Sequence, residues 1–202
     1  MILRISRTAH RVAADDVRVR YEWRGRAVIA EELVLRRWKD RSSTPAALQR
    51  GEVFDGCRLH PHIWSTLSAC VDAGLRLDAT LNAEMLRHAM EGVKARGVHT
   101  GPVRADKYVT LVHFLRQKRV LLEVLHRARD AASPGVPDLF LWRHKADGAP
   151  YGAGFVEVKR RAKGIDGRWR RERVSQTQRD ELAFLTGLGL SAREVFIREV
   201  PR

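Results

Sequence analysis

Apolar and polar positions alternate with a period of two over Val17, Val19, Tyr21 and Trp23, with Arg18, Arg20 and Glu22 between them, and Ala27-Val28-Ile29 resume just after Gly25. That alternation predicts a hairpin-like pair of strands with one arginine-bearing face. From Ala30 the spacing reads as helical, with Ala30, Leu33, Val34 and Trp38 on one side, until Ser42-Ser43-Thr44-Pro45 breaks it. A second helix is predicted from Pro61 through Ile63, Trp64, Leu67, Cys70 and Val71 to a stop near Gly74. Three more stripes follow: Leu81, Met85, Leu86, Ala89, Met90 and Val93, ending at Gly97; Tyr108, Leu111, Val112 and Leu115; and Leu121, Leu122, Leu125 and Ala128. All are assigned to packing.

The last third changes character. Strand-like runs at Leu139–Trp142 and Phe155–Lys159 are followed by a helix carrying Leu182 and Leu185, and by a strand at Glu194-Val195-Phe196-Ile197-Arg198. Leu139–Trp142 is apolar on both faces, as a strand covered by helices is, which predicts a layered α/β fold rather than a half-exposed antiparallel sheet. At 202 residues and 44% hydrophobic content one core is expected. The expected organisation is a single domain, with a basic hairpin-like lead-in over 1–29, a mainly helical part over 30–132 and a strand-strand-helix-strand core over 133–202.

Chemistry enters where strands hold charge. In Phe155-Val156-Glu157-Val158-Lys159 the period of two sends Val156 and Val158 to one face and Glu157 with Lys159 to the other. Asp138 follows Pro137, which suits the first residue of a strand, so its carboxylate sits where that strand emerges. If the two strands pair, Asp138 and Glu157 converge beside the Lys159 ammonium. Two carboxylates form a hard oxygen site suited to Mg²⁺ or Mn²⁺, and a lysine beside them can stabilise a charged oxygen or orient a water. Taken singly, each motif also fits a plain proline turn or a solvated Glu–Lys pair.

In this order, and followed by a helix and a strand, the motifs resemble the PD-(D/E)XK nuclease superfamily. Within it they resemble the VRR-NUC family, whose best-known members are the Fanconi-associated nucleases. Pro137-Asp138 stands for the PD and Glu157-Val158-Lys159 for the (D/E)XK, while Arg173-Val174-Ser175-Gln176-Thr177-Gln178 is similar to the family's basic-apolar-Ser-x-x-Gln segment. Ala30–Trp38 resembles the Glu-Glu-Leu helix at the start of the Fanconi-associated nuclease domain, and Arg50-Gly51-Glu52 falls where that family has a third carboxylate. That family's segment reads His-x-Glu-Gly; here Val53 replaces the glycine after the glutamate, and the histidine is missing. The resemblance implies a restriction-endonuclease-like PD-(D/E)XK core and a Mg/Mn-dependent phosphodiester hydrolase. It implies Asp138, Glu157 and Glu52 with the Val158 carbonyl as metal ligands, Glu31 and Glu32 competing with Glu52. Lys159 would position the attacking water, and Gln178 would lie close to the metal. Ser175 with Gln178 also reads as a capping box, a role compatible with the first.

Charge supports the same class. With 38 Lys+Arg against 24 Asp+Glu and a formal charge of +14, the chain is drawn to polyanions, nucleic acid above all. Arg160, Arg161, Lys163, Arg168, Arg170, Arg171 and Arg173 cluster beside the motif, with Trp169 available to stack on a base. With Gly164 and Gly167 among them, they read as a flexible basic loop. The expected partner is DNA, as a flap, junction or end, and a junction cutter is expected to form a homodimer. A catalytically silent nucleic-acid-binding module with the same fold is the alternative. No apolar stretch reaches membrane-spanning length and the N-terminus does not read as a signal peptide, so a cytoplasmic protein, nucleoid-associated if bacterial, is expected. Two cysteines are too few for a disulfide framework. Cys57, His60, His62 and Cys70 do not have a zinc-like spacing.

Overall fold

The computed structural model describes residues 17–23, 26–36, 56–101, 103–130, 135–144, 150–163, 165–171 and 173–200. These form a mixed α/β structure in two compact units. The sheet unit draws on the chain up to Arg58, on Pro137–Arg143 and on Tyr151 onward; the helical unit takes Leu59–Val136 and His144–Pro150. In chain order the helical unit is therefore an insertion into the sheet unit. Within the sheet, β3 (Gly56–Arg58) pairs antiparallel with β4 (Leu139–His144), which sets Arg58 opposite Leu139.

In the sheet unit β1 (Val17–Trp23) pairs antiparallel with β2 (Arg26–Arg36), with Trp23 opposite Arg26, as the hairpin-like alternation predicts. Beyond it the helix expected from Ala30 is not formed. Ala30–Arg36 continue β2, which runs parallel to β7 (Ser191–Val200) over Ile29–Arg36. Leu33, Val34 and Leu35 fit either period, and pairing on both sides decides for the strand, because tertiary contacts override weak local preference. β5 (Pro150–Lys163) lies on the other side of β7, also parallel, and the sheet order is β1-β2-β7-β5-β4-β3. The β5-to-β7 crossover contains α5 (Gln176–Gly187), which packs on β2 and β7.

β4 is interior to the sheet, and Leu139, Phe140, Leu141 and Trp142 are all buried, as its two-faced apolarity predicts. Phe140 packs on Phe155 and Trp142, with ring centroids 5.2 and 5.3 Å apart. The basic stretch after Lys159 is a correction to the sequence reading. It is a hairpin rather than a loop: β6 (Trp169–Arg171) folds back antiparallel on the end of β5, with Arg161 opposite Arg171, Ala162 opposite Arg170 and Lys163 opposite Trp169. In the turn the Arg168 amide donates to Asp166 Oδ1 at 3.2 Å.

The helical unit contains α1 (Ile63–Asp72), α2 (Ala83–Ala95), α3 (Ala105–Gln117) and α4 (Leu121–Asp130). Its core is built from the predicted stripes: Ile63, Trp64, Leu67, Leu86, Met90, Val93, Leu111 and Leu115 are buried. Four stripe members are not core, Val71 and Ala89 being half-buried. Met85 is exposed, and so is Leu122 on α4. No helix among the described residues is long and apolar enough to cross a membrane.

Candidate active site

Glu157 sits on β5 between Val156 and Val158, both buried, and is itself fully buried. Strands do not bury a lone carboxylate without compensation, and here one oxygen receives all of it. Lys159 Nζ lies 2.7 Å from Glu157 Oε1, and Gln178 Nε2 donates to that same oxygen at 2.5 Å. Glu157 Oε2 is buried and has no hydrogen-bond partner. Asp138, at the entrance to β4, accepts a hydrogen bond from the Val158 amide through Oδ2 at 2.9 Å, which ties the two strands together next to Glu157. Burial first, and the Asp138 carboxylate second, push the Glu157 carboxyl up to about 7, against the opposing pull of the Lys159 ammonium.

Gln178 does two things at once. Its Oε1 accepts from the Ser175 amide at 3.0 Å while Ser175 Oγ accepts from the Gln178 amide at 3.2 Å, completing a capping box at the start of α5. That leaves Nε2 aimed at Glu157. The cap therefore fixes the orientation of the amide that reaches the site. Gln178→Ala removes both functions and is expected to destabilise the fold by roughly 0.5–2 kcal/mol. Thermal unfolding of the purified variant checks this, and an unchanged midpoint would deny the cap its role.

The predicted residues are not all gathered. Asp138, Glu157, Lys159 and Gln178 come together. Glu52 lies outside the described residues. Glu31 and Glu32 are on β2, separated from β5 by β7; Glu31 is level with Val195 and Glu32 with Phe196, which in turn pair with Val158 and Lys159. At roughly 4.8 Å per strand spacing their backbone is about 10 Å from that of β5. Arg160, Arg161 and Lys163 lie on the end of β5, Trp169, Arg170 and Arg171 on β6, and Arg168 and Arg173 are exposed to either side of β6.

One buried acid was not legible in the sequence. Glu194 pairs in register with Glu157 on the adjacent strand, is 2% exposed, and its Oε1 lies 3.8 Å from Arg179 Nε. An acid near the start of a strand reads as a solvated end, and only the register puts it level with the site. Among the described residues no group of three His, Cys, Asp or Glu side chains is arranged to hold a metal ion. Cys57 and Cys70 are buried and not joined in a disulfide, and burial pushes the Cys70 thiol up to about 11, which does not favour a zinc thiolate. His60 and His62 gather instead with His99, ring centroids 5.0–5.4 Å apart.

A divalent cation fits the observed donors. A buried carboxylate oxygen lacks a partner and a second carboxylate lies beside it, and burial with that neighbour disfavours the charged form of Glu157, a cost that a hard cation taking the place of the proton would offset. A buried glutamate and a half-buried aspartate thus stand with a lysine at two neighbouring strands. The VRR-NUC domain model matches residues 76–195, more than half of the chain. The chain belongs to the VRR-NUC family, a family of nuclease domains within the PD-(D/E)XK superfamily. No curated protein and no solved structure matched it.

Proposed function

We propose that this chain is a metal-dependent DNA nuclease acting at the site on β4, β5 and α5. The observation that carries this reading is Glu157 Oε2, a buried carboxylate oxygen without a partner beside Asp138, in a chain of a nuclease family. In this reading β4, β5, α5 and β7 are the restriction-endonuclease-like core. Asp138, Glu157 and the Val158 carbonyl hold Mg²⁺ or Mn²⁺, with Glu52 supplying a third carboxylate. The bound ion would lower the pKa of a water and offset charge developing on the scissile phosphate.

The chain's own residues do the rest. Gln178 and Lys159 both hold Oε1, so Glu157 is oriented with Oε2 free for the ion. Lys159 keeps its ammonium beside that carboxylate, where it positions the attacking water or offsets charge on a phosphate oxygen. Asp138 binds the Val158 amide and thereby holds the spacing between the two strands. The arginines and Lys163 of the β5–β6 hairpin, with Arg168 and Arg173, hold phosphates, and Trp169 offers a stacking surface. The substrate in this reading is branched or ended DNA, such as a flap or junction, in repair, recombination or processing, with a homodimer serving a junction.

The test is cleavage of end-labelled flap, junction, duplex and single-stranded DNA with Mg²⁺ or Mn²⁺ and with chelator. Metal-dependent cutting with a ranking among substrates is expected. DNA binding without cutting under every metal condition would replace this reading with a catalytically silent binding module. For the hairpin, the double variant Arg170→Ala with Arg171→Ala is expected to weaken DNA binding. It should also lower the slope of log affinity against log salt by about one per lost phosphate contact. Anisotropy titrations across a salt series read this directly, and an unchanged slope would remove the hairpin from the interface.

A further inference from the structure

A groove of about 1060 Å³ opens within the helical unit, where the ends of α1 and α3 meet the start of α4. Its apolar lining is aliphatic: Leu75, Leu77, Leu121, Leu122 and Leu125 contribute to it, and Leu122 is 66% exposed. Water-exposed leucine beside a concave apolar surface is the kind of patch that marks a docking site rather than a scattered surface residue. The charged lining is unequal. Asp78 takes Arg76 Nε at 3.0 Å and also accepts from Thr80, so that pair is internally satisfied. Arg116 also acts on Asp78 across the groove, so the lining sets three guanidinium groups, Arg76, Arg116 and Arg119, against two carboxylates, Asp78 and Glu123.

Arg119 carries a second mark of use. It is the only non-glycine residue in the left-handed region among the described residues, at φ 59°. Four helices end in the same way, with the residue after the C-cap bonding three residues back and the next one five residues back. After α1, α2 and α5 that residue is Gly74, Gly97 or Gly189, with φ of 97°, 87° and 76°. After α3 it is Arg119, whose amide donates to the Arg116 carbonyl while the Val120 amide donates to that of Leu115. Glycine closes such a turn without strain and an L side chain does not. The Arg119 side chain is exposed at the groove, where a ligand can reach it.

We propose that this groove docks an acidic amphipathic segment of a partner protein. The apolar side chains of that segment enter the aliphatic lining, and its carboxylates meet Arg116 and Arg119. Nucleic acid is the poorer fit. The lining has no aromatic residue for a base to stack on except His113, whose Nε2 is engaged by the Leu81 carbonyl at 3.1 Å.

The test is selection of a displayed library of random peptides on the full chain, followed by titration of the enriched peptides against purified variants. Enriched sequences are expected to combine apolar residues at helical spacing with Asp or Glu, and to lose about tenfold in affinity to Leu122→Glu and to Arg116→Glu. Leu122 is exposed, so its variant should fold. Arg119→Gly makes the decisive comparison: it should weaken peptide binding several-fold while raising the thermal midpoint by about 2–4 °C as the backbone strain is relieved. Enriched peptides that bind Leu122→Glu and Arg119→Gly as tightly as the parent chain, or a selection that yields no binder sensitive to these changes, would overturn the proposal. So would labelled single-stranded or duplex DNA whose binding falls by a similar factor in Leu122→Glu.

Discussion

Asp138→Asn is expected to abolish metal-dependent cleavage while leaving the fold and DNA affinity in place. The asparagine oxygen can still accept from the Val158 amide, as Asp138 Oδ2 does at 2.9 Å, so the tie between β4 and β5 is kept. What disappears is the second negative charge beside Glu157. A bound metal supplies several kcal/mol of transition-state stabilisation, and at about 1.4 kcal/mol per decade its loss reduces the rate by roughly 10³-fold or more. Single-turnover cleavage and anisotropy binding on matched preparations separate the two effects. Cleavage within about tenfold of the parent, in a variant of unchanged thermal midpoint, would take Asp138 out of the site.

The second large effect concerns acidity. In the folded chain the Glu157 carboxyl is raised from 4.5 to about 7, by burial first and Asp138 second. Below about pH 4.5 both folded and unfolded chains carry this proton. Between there and about 7 the unfolded chain releases it and the folded chain keeps it, so the folded state binds more protons and loses about 1.4 kcal/mol of stability per pH unit. In the metal-free protein this costs on the order of 3 kcal/mol as pH rises to about 7, and the curve then flattens. Glu157→Gln should show no such fall. Denaturant unfolding in chelator, at several pH values between about 5 and 8, compares the two chains. Parallel curves would show that Glu157 is not the group responsible. Saturating Mn²⁺ near pH 7.5 should restore stability to the parent chain and not to the variant, by the linkage between binding and folding.

The site motifs are readable in the sequence because each rests on a local rule. Glu157 and Lys159 share a face by strand alternation, Asp138 follows a proline, and Ser175 with Gln178 is a capping signature. What local rules miss is set by distant pairing. Ala30–Arg36 have apolar residues that suit a helix or a strand, and β1 and β7 decide the matter. β6 is three residues long and has no apolar alternation, since backbone pairing with β5 forms it whatever its charges. Leu122 occupies a core position by periodicity yet faces the groove, because periodicity says which residues share a stripe and not whether a neighbour covers it. Glu194 is level with Glu157 only by register, which no single strand reveals.

β5 is one uninterrupted strand from Pro150 to Lys163, and it carries both Glu157 and the first half of the basic hairpin. With a rise of about 3.3 Å per residue, Arg161 lies about 13 Å and Lys163 about 20 Å along the backbone from Glu157. No hinge intervenes within the strand, so these two distances do not vary independently of the fold. In the nuclease reading proposed above, the strand would act as a graduated rule: a phosphate gripped at a given hairpin residue would be set at a fixed interval from the bond presented to the carboxylates. Along a duplex, with about 3.4 Å per nucleotide of each strand, the interval from Glu157 to Lys163 corresponds to about six steps.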